Sequence, residues 1–236
     1  MPYRRLPKTD AARIKAMKTV LDKEDAFSSA TRVVSWKTLT EIQSIYDRFM
    51  GAYLYHTGCK RNQVRHSGDG DEAKNRARMY ISHFIQVLNM SMQRGEIKEK
   101  HKALYGLTEG DFTVPDLTSN EQILSWGEKI IAGEKARLKE GGLPIYNPTI
   151  AKVAVHFEIF KDFYNKQKKL QRLTSNSGED MVSLRETADK TLLDLWNQVE
   201  AAYVDLPLKE RYQKCQAYGL VYYYRRHEAP IEGLEL

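Results

Sequence analysis

Apolar side chains recur every three to four residues along most of this chain, in stretches broken by glycine, proline and small polar residues. That spacing is the mark of amphipathic helices, and the chain reads as all-α. After Pro7-Lys8, either Thr9 or Asp10 caps a first helix carrying Ala11, Ile14, Met17 and Leu21. Phe27-Ser28-Ser29-Ala30 interrupts it, and Ser35 caps a second, longer helix. Its apolar positions, Leu39, Ile42, Tyr46, Phe49 and Tyr53, step by 3, 4, 3 and 4, a heptad-like seam. Ser67-Gly68-Asp69-Gly70 predicts a turn, with Asp71 and Glu72 at the start of a third helix built on Ala77, Ile81, Phe84 and Leu88. A short basic segment after Gly95 ends at Tyr105, where Gly106 can take the left-handed position that closes a helix.

A similar order of elements follows. Ser119 or Asn120 caps a helix with Ile123, Trp126, Ile130 and Ile131, and Gly141-Gly142-Leu143-Pro144 stops it. Asn147-Pro148 starts the next, with Pro148 expected in the first turn and Ile150, Val153, Phe157, Phe160 and Tyr164 as its stripe. Ser175-Asn176-Ser177-Gly178 predicts another turn, before Leu184, Ala188, Leu192, Leu195, Val199 and Ala202. A last short helix ends in Tyr218-Gly219-Leu220. A shift of 113 residues lays Tyr105-Gly106-Leu107 on that motif, Met79-Tyr80 on Leu192-Leu193 and His83 on Trp196. A shift of 114 lays Leu39, Ile45 and Phe49 on Val153, Ile159 and Phe163, and the opening helices match near 110. The expectation is an antiparallel helical bundle of two pseudo-repeated three-helix units, 1–112 and 113–236, each closed by a short helix ending in Tyr-Gly-Leu. The units pack either as two lobes or as one continuous domain. The second-to-third and fifth-to-sixth helices are expected as hairpins.

Composition narrows the class rather than the activity. At 236 residues the chain can bury a core without disulfides. No apolar run approaches the roughly 18 residues that cross a bilayer, so membrane insertion is not expected. The basic start leads into a charged helix instead of an apolar segment, unlike a secretory signal. Two cysteines, Cys59 and Cys215, lack framework spacing, which suits free thiols in a reducing, cytoplasmic setting. A net charge of +6 is modest for a dedicated nucleic-acid binder.

Candidate chemistry is sparse. Gly68-Asp69-Gly70-Asp71-Glu72-Ala73 spells a dinucleotide fingerprint, but it follows no strand and its carboxylates would repel a pyrophosphate. His56, Cys59 and His66 are too few for a structural zinc site. His83 and His156 lie in apolar stripes, as buried structural imidazoles or as a facing acid–base couple. No cofactor or metal is expected, and no catalytic residue stands out. Basic residues form three clusters: Lys98, Lys100 and Lys102; Lys161, Lys166, Lys168, Lys169 and Arg172; and Tyr222, Tyr223, Tyr224, Arg225, Arg226 and His227. Tyrosine and arginine together are favoured as interface anchors. These residues and the Tyr3, Arg4, Arg5 start are therefore the expected binding sites of a non-enzymatic scaffold or protein-interaction module, engaging a protein partner or a second copy. Deleting 222–236 is expected to abolish that contact and spare the fold. The alternative is a nucleic-acid-binding accessory protein using the same tail and the lysine clusters.

Overall fold

A computed structural model describes residues 2–25, 32–68 and 70–228. The predicted interruption at Phe27–Ala30 and Asp69 of the first predicted turn lie outside them. The chain is mostly helical: α1 (Asp10–Asp25), α2 (Trp36–Ser67), α3 (Gly70–Gln93), a 3-10 helix (Glu99–Tyr105), α4 (Asn120–Lys139), α5 (Ile150–Ala202) and α6 (Leu208–Ala217). Two short strands, β1 (Tyr3–Arg4) and β2 (Tyr222–Tyr223), pair antiparallel. Among the described residues no helix is long and apolar enough to cross a membrane.

The helix starts follow their capping chemistry. Thr9 Oγ1 accepts the Ala12 N–H at 3.2 Å, and Ser35 Oγ accepts the Thr38 N–H at 3.2 Å. Ser119 and Gln122 form a reciprocal capping box. Thr149 caps α5 by accepting the Lys152 N–H at 3.3 Å, so Pro148 precedes the helix instead of occupying its first turn.

Both predicted hairpins are corrected. Ser175-Asn176-Ser177-Gly178 lies inside α5, a single helix of 53 residues. Ser177 Oγ bonds the Thr174 carbonyl of its own helix at 3.0 Å and His56 Nδ1 at 2.8 Å, so its polarity is satisfied without a turn. Gly68 and Gly70 do end one helix and begin another, but the chain does not reverse there. His66 of α2 stacks on Phe163 of α5 at 4.3 Å, and Tyr80 of α3 stacks on His156 at 4.2 Å. Residue numbers rise along α2 and α3 while their α5 partners fall, so both run antiparallel to α5. Gly70 lies close to α5: a Cβ there would sit 2.2 Å from the Phe163 ring, which would have to shift to admit it.

Contacts divide the chain into two compact units, one of residues 1–60 and 173–236, the other of residues 61–172. This division runs across the expected 1–112 and 113–236 halves, because α2 and α5 each supply residues to both units. The first unit buries Met17, Val20, Ile42, Phe49, Leu192, Leu195, Trp196 and Val199 in one core. The second buries Ile81, Phe84, Leu88, Ile130, Val153, Phe157 and Phe160 in another. Each fully buried side chain of this kind contributes roughly 1.5–3 kcal/mol. Phe49, Phe84, Phe157 and Leu195, one from each predicted seam, are all buried.

The two Tyr-Gly-Leu motifs close their helices alike. Gly106 (φ 70°) and Gly219 (φ 82°) take the left-handed conformation. Leu107 N–H then reaches the Lys102 carbonyl at 3.1 Å and Leu220 N–H the Cys215 carbonyl at 3.3 Å. Tyr105 and Tyr218 point inward and are buried.

Candidate interaction site

In the first unit α1 is clamped to α5 by two forked ion pairs. Arg13 holds Asp189 at 2.7 Å through both nitrogens, and Arg185 holds Asp10 at 2.8 and 2.7 Å. The Arg185 hydrogen bond keeps the Asp10 carboxyl below its ordinary range against the opposing effect of burial. With α1 fixed, the residues before it lie beside the segment that leaves α6. Gly219 turns that segment back, and β2 meets β1 with Tyr3 opposite Tyr223 and Arg4 opposite Tyr222. Arg5 N–H extends the pairing to the Val221 carbonyl at 2.9 Å.

The sequence-predicted termini are thus brought together in one ribbon, and strand alternation sorts them by face. Arg4 and Tyr222 point inward, and Glu200 of α5 takes both. Arg4 donates to one carboxylate oxygen at 2.9 Å and Tyr222 donates to the other at 2.6 Å. Arg4 also reaches Asn197 Oδ1 at 3.0 Å. Tyr222 is buried edge-on against Tyr212. Burial first, and then the Glu200 hydrogen bond, push its hydroxyl pKa far up. Tyr222 therefore belongs to the core, and deleting 222–236 would remove fold contacts as well as surface.

Tyr3 and Tyr223 point outward, 41% and 42% exposed, with ring centroids 6.2 Å apart. The Arg5 guanidinium lies 5.3 Å from the Tyr223 ring. Tyr224 is half-buried, while Arg225, Arg226 and His227 are exposed. They occupy a turn in which Arg225 N–H donates to the Glu228 carboxylate at 2.9 Å. Beside the ribbon a cavity of about 670 Å³ runs from Arg5–Thr9 along α1 to Gln216 and Gly219–Tyr223, with Trp196 in its wall. Glu200, Asn197 and Trp196 were not singled out from sequence. On α5 they resemble any other seam or surface positions.

The remaining candidates separate. His83 is exposed, whereas His156 is half-buried and stacked on Tyr80; they form no facing couple. Because His83 is exposed and Trp196 buried, the 113-residue equivalence between them does not follow burial. Among the described residues no three metal-ligating side chains converge. His56 is engaged by Ser177, His66 stacks on Phe163, and Cys59 and Cys215 are free and buried. Lys102 leaves the first lysine cluster altogether. It is fully buried, donating to Glu99 at 3.1 Å and to the Asp111 carbonyl at 2.8 Å, over the Phe112 ring. In the second unit a cavity of about 880 Å³ carries Arg94, Lys98, Lys100 and His101, but Glu96 and Glu140 share its wall. Glu96 pairs with Arg94 at 2.7 Å and Glu140 lies 3.5 Å from His101.

Fold and site together define a mostly helical protein with an aromatic, basic terminal ribbon. Comparison with known proteins gives no matching family model, no matching curated protein and no matching solved structure.

Proposed function

We propose that this protein is a non-enzymatic helical interaction module whose partner, a protein or a second copy, contacts the outer face of the terminal ribbon. One observation carries the reading: Tyr3, Arg5 and Tyr223 stand exposed side by side on strands pinned from beneath by Glu200. Rigid aromatic anchors flanked by arginine lose little conformational freedom on binding. Arg225, Arg226 and His227 extend the surface. A reducing, cytoplasmic setting accompanies this reading, supported by the two free thiols.

The architecture we propose with it is a duplication of the halves 1–112 and 113–236, with exchange between them. The first unit combines α1 and most of α2 with the end of α5 and α6. The second combines α4 and the start of α5 with α3 and the 3-10 helix. Burial supports the match segment by segment. A shift of 110 carries the helix cap Thr9 onto the helix cap Ser119, and buried Val20 and Glu24 onto buried Ile130 and Glu134. A shift of 111 carries Ala77, Ile81, Phe84, Ile85 and Leu88 onto Ala188, Leu192, Leu195, Trp196 and Val199, every one buried. For α2 a shift of 115, carrying Ile42 and Ile45 onto buried Phe157 and Phe160, fits better than 114, which puts Ile45 on exposed Ile159.

A photo-crosslinking residue at position 223, with Val64 as an exposed control position, tests the function in cells that make the protein. Specific adducts at 223 that disappear with Tyr3→Ser are expected. Equal labelling at 223 and 64, or none at either, overturns the reading.

One observation favours the nucleic-acid alternative. Residues 61–172 hold 19 lysines and arginines against 14 carboxylates, so most of the net charge of +6 lies in that unit. Arg61, Arg65, Lys166, Lys168, Lys169 and Arg172 are exposed on α2 and α5. Oligonucleotide binding that weakens steeply between about 50 and 200 mM salt would support it.

A further inference from the structure

We propose that the cavity beside the ribbon binds an amphiphilic carboxylate, a hydrocarbon body bearing one carboxylate head. The cavity shares Arg5 and Tyr223 with the partner surface, but the rest of its lining runs along α1 and α6 and takes no part in that surface. At about 670 Å³ the cavity falls within the roughly 300–1,000 Å³ of small-molecule sites. Its apolar wall comes from Leu6, Pro7, Ala12, Ala16, Leu220 and Val221, a lining suited to a hydrocarbon chain.

Two features fix the head group. Arg5, Lys8 and Lys15 line the cavity, no aspartate or glutamate does, and none of the three is in an ion pair among the described residues. The larger cavity of the second unit differs here, since Glu96 and Glu140 offset its cations. The other feature is Trp196, which lines the cavity while 1% exposed and whose indole N–H has no hydrogen-bond partner among the described residues. A buried donor is nearly always paired, and an acceptor carried in by a ligand would pair this one. In the first turn of α1 the Thr9 hydroxyl already accepts the Ala12 N–H. Phosphate is favoured by clustered backbone N–H donors. One indole N–H and flexible ammonium groups suit a carboxylate better.

The test is a titration of the full-length ¹⁵N-labelled protein with decanoate, decanol and decyl phosphate below their micelle concentrations, read at the Trp196 indole N–H resonance. Trp36→Phe and Trp126→Phe assign that peak by elimination without altering the cavity. A saturable shift with decanoate is expected, about tenfold tighter than with decanol and at least as tight as with decyl phosphate. Lys8→Gln with Lys15→Gln should weaken decanoate about tenfold and leave decanol unchanged. A Trp196 resonance that does not respond overturns the proposal. So does equal affinity for decanoate and decanol, tighter binding of decyl phosphate, or indifference of decanoate to the lysine substitutions.

Discussion

Each unit buries a tyrosine at the end of its closing helix, beside a carboxylate from a different part of the chain, yet the two carboxylates are treated differently. In the second unit Tyr105 donates to Glu134, and Arg137 completes the group. Arg137 reaches both Glu134 oxygens at 2.9 and 2.7 Å, the Tyr105 hydroxyl at 2.9 Å and the Leu143 carbonyl at 2.7 Å. In the first unit Tyr218 faces Glu24, with Tyr203 nearby. Among the described residues Glu24 accepts a long 3.4 Å bond from Val33 N–H at one oxygen, and its other oxygen has no partner. Glu134 is thus part of a compensated buried ion pair, whereas Glu24 is a buried carboxylate with little compensation among the described residues. Burial of a charge is costly in proportion to what it lacks.

The comparison is broken most directly by removing the guanidinium. Arg137→Met leaves Glu134 charged and buried, and should cost about 3–5 kcal/mol in urea denaturation. Adding Glu134→Gln should recover much of that loss. Glu24→Gln, by contrast, strands no cation and should change stability by no more than about 1 kcal/mol. If Glu24→Gln proves as damaging as Arg137→Met, the first carboxylate has compensation of equal strength and the contrast fails.

Packing differs between the same two helices. Met17 of α1 is buried, whereas the position 110 residues later is Gly127. A Cβ there would lie 2.3 Å from the Phe157 ring, which fills the space a larger side chain would need. Gly127→Ala should therefore destabilise by about 1–3 kcal/mol through overpacking. Combining it with Phe157→Leu should relieve part of the strain. Thermal melts in which the alanine is harmless alone would show that the ring has room to retreat.

Local chemistry was more legible than chain direction. Ser35 and Ser119 act as helix caps, and Leu39, Ile42, Phe49, Val153, Phe157 and Phe160 of the heptad stripes are buried while Tyr46, Tyr53, Ile150 and Tyr164 are half-buried, because capping and amphipathic burial are decided within a few residues. The hairpins were misread because Gly68–Gly70 and Ser175–Gly178 look like turns by composition. A different signal was present. Phe49 to Ala77 and Phe160 to Ala188 each span 28 residues, four heptads, so the seam keeps its phase across both supposed turns. Two helices joined by a hairpin have no reason to keep phase. The residues of the candidate terminal site, Tyr3–Arg5 and Tyr222–His227, were picked out by their aromatic and basic character, but not which of them face inward, as Arg4 and Tyr222 do. Their pairing was not, because the contacts that join them, through Glu200 and Asn197, are nearly 200 residues distant from Arg4.

The buried tyrosines give a finer comparison of the two units. Burial is the largest cause raising the pKa of Tyr105, Tyr218 and Tyr222, all well above the ordinary tyrosine range. The folded protein therefore keeps these protons above pH 10, where an unfolded chain releases them. Their stabilising contribution is whole below about pH 10 and is lost as pH rises from there toward the folded values. Each tyrosine should steepen that loss by about 1.4 kcal/mol per pH unit. Denaturation at pH 9 to 11 should show this fall, and tyrosinate absorbance from these three should appear only as the chain unfolds. Tyr105→Phe and Tyr218→Phe should each reduce the slope by the same single-tyrosine share, because the slope counts protons rather than partners. Their costs at pH 7 should still differ, since Tyr105 gives up hydrogen bonds to Glu134 and Arg137. Equal slopes with unequal neutral-pH costs would locate the difference between the units in the guanidinium. Unequal slopes would mean that one of the two hydroxyls already ionises in the folded state.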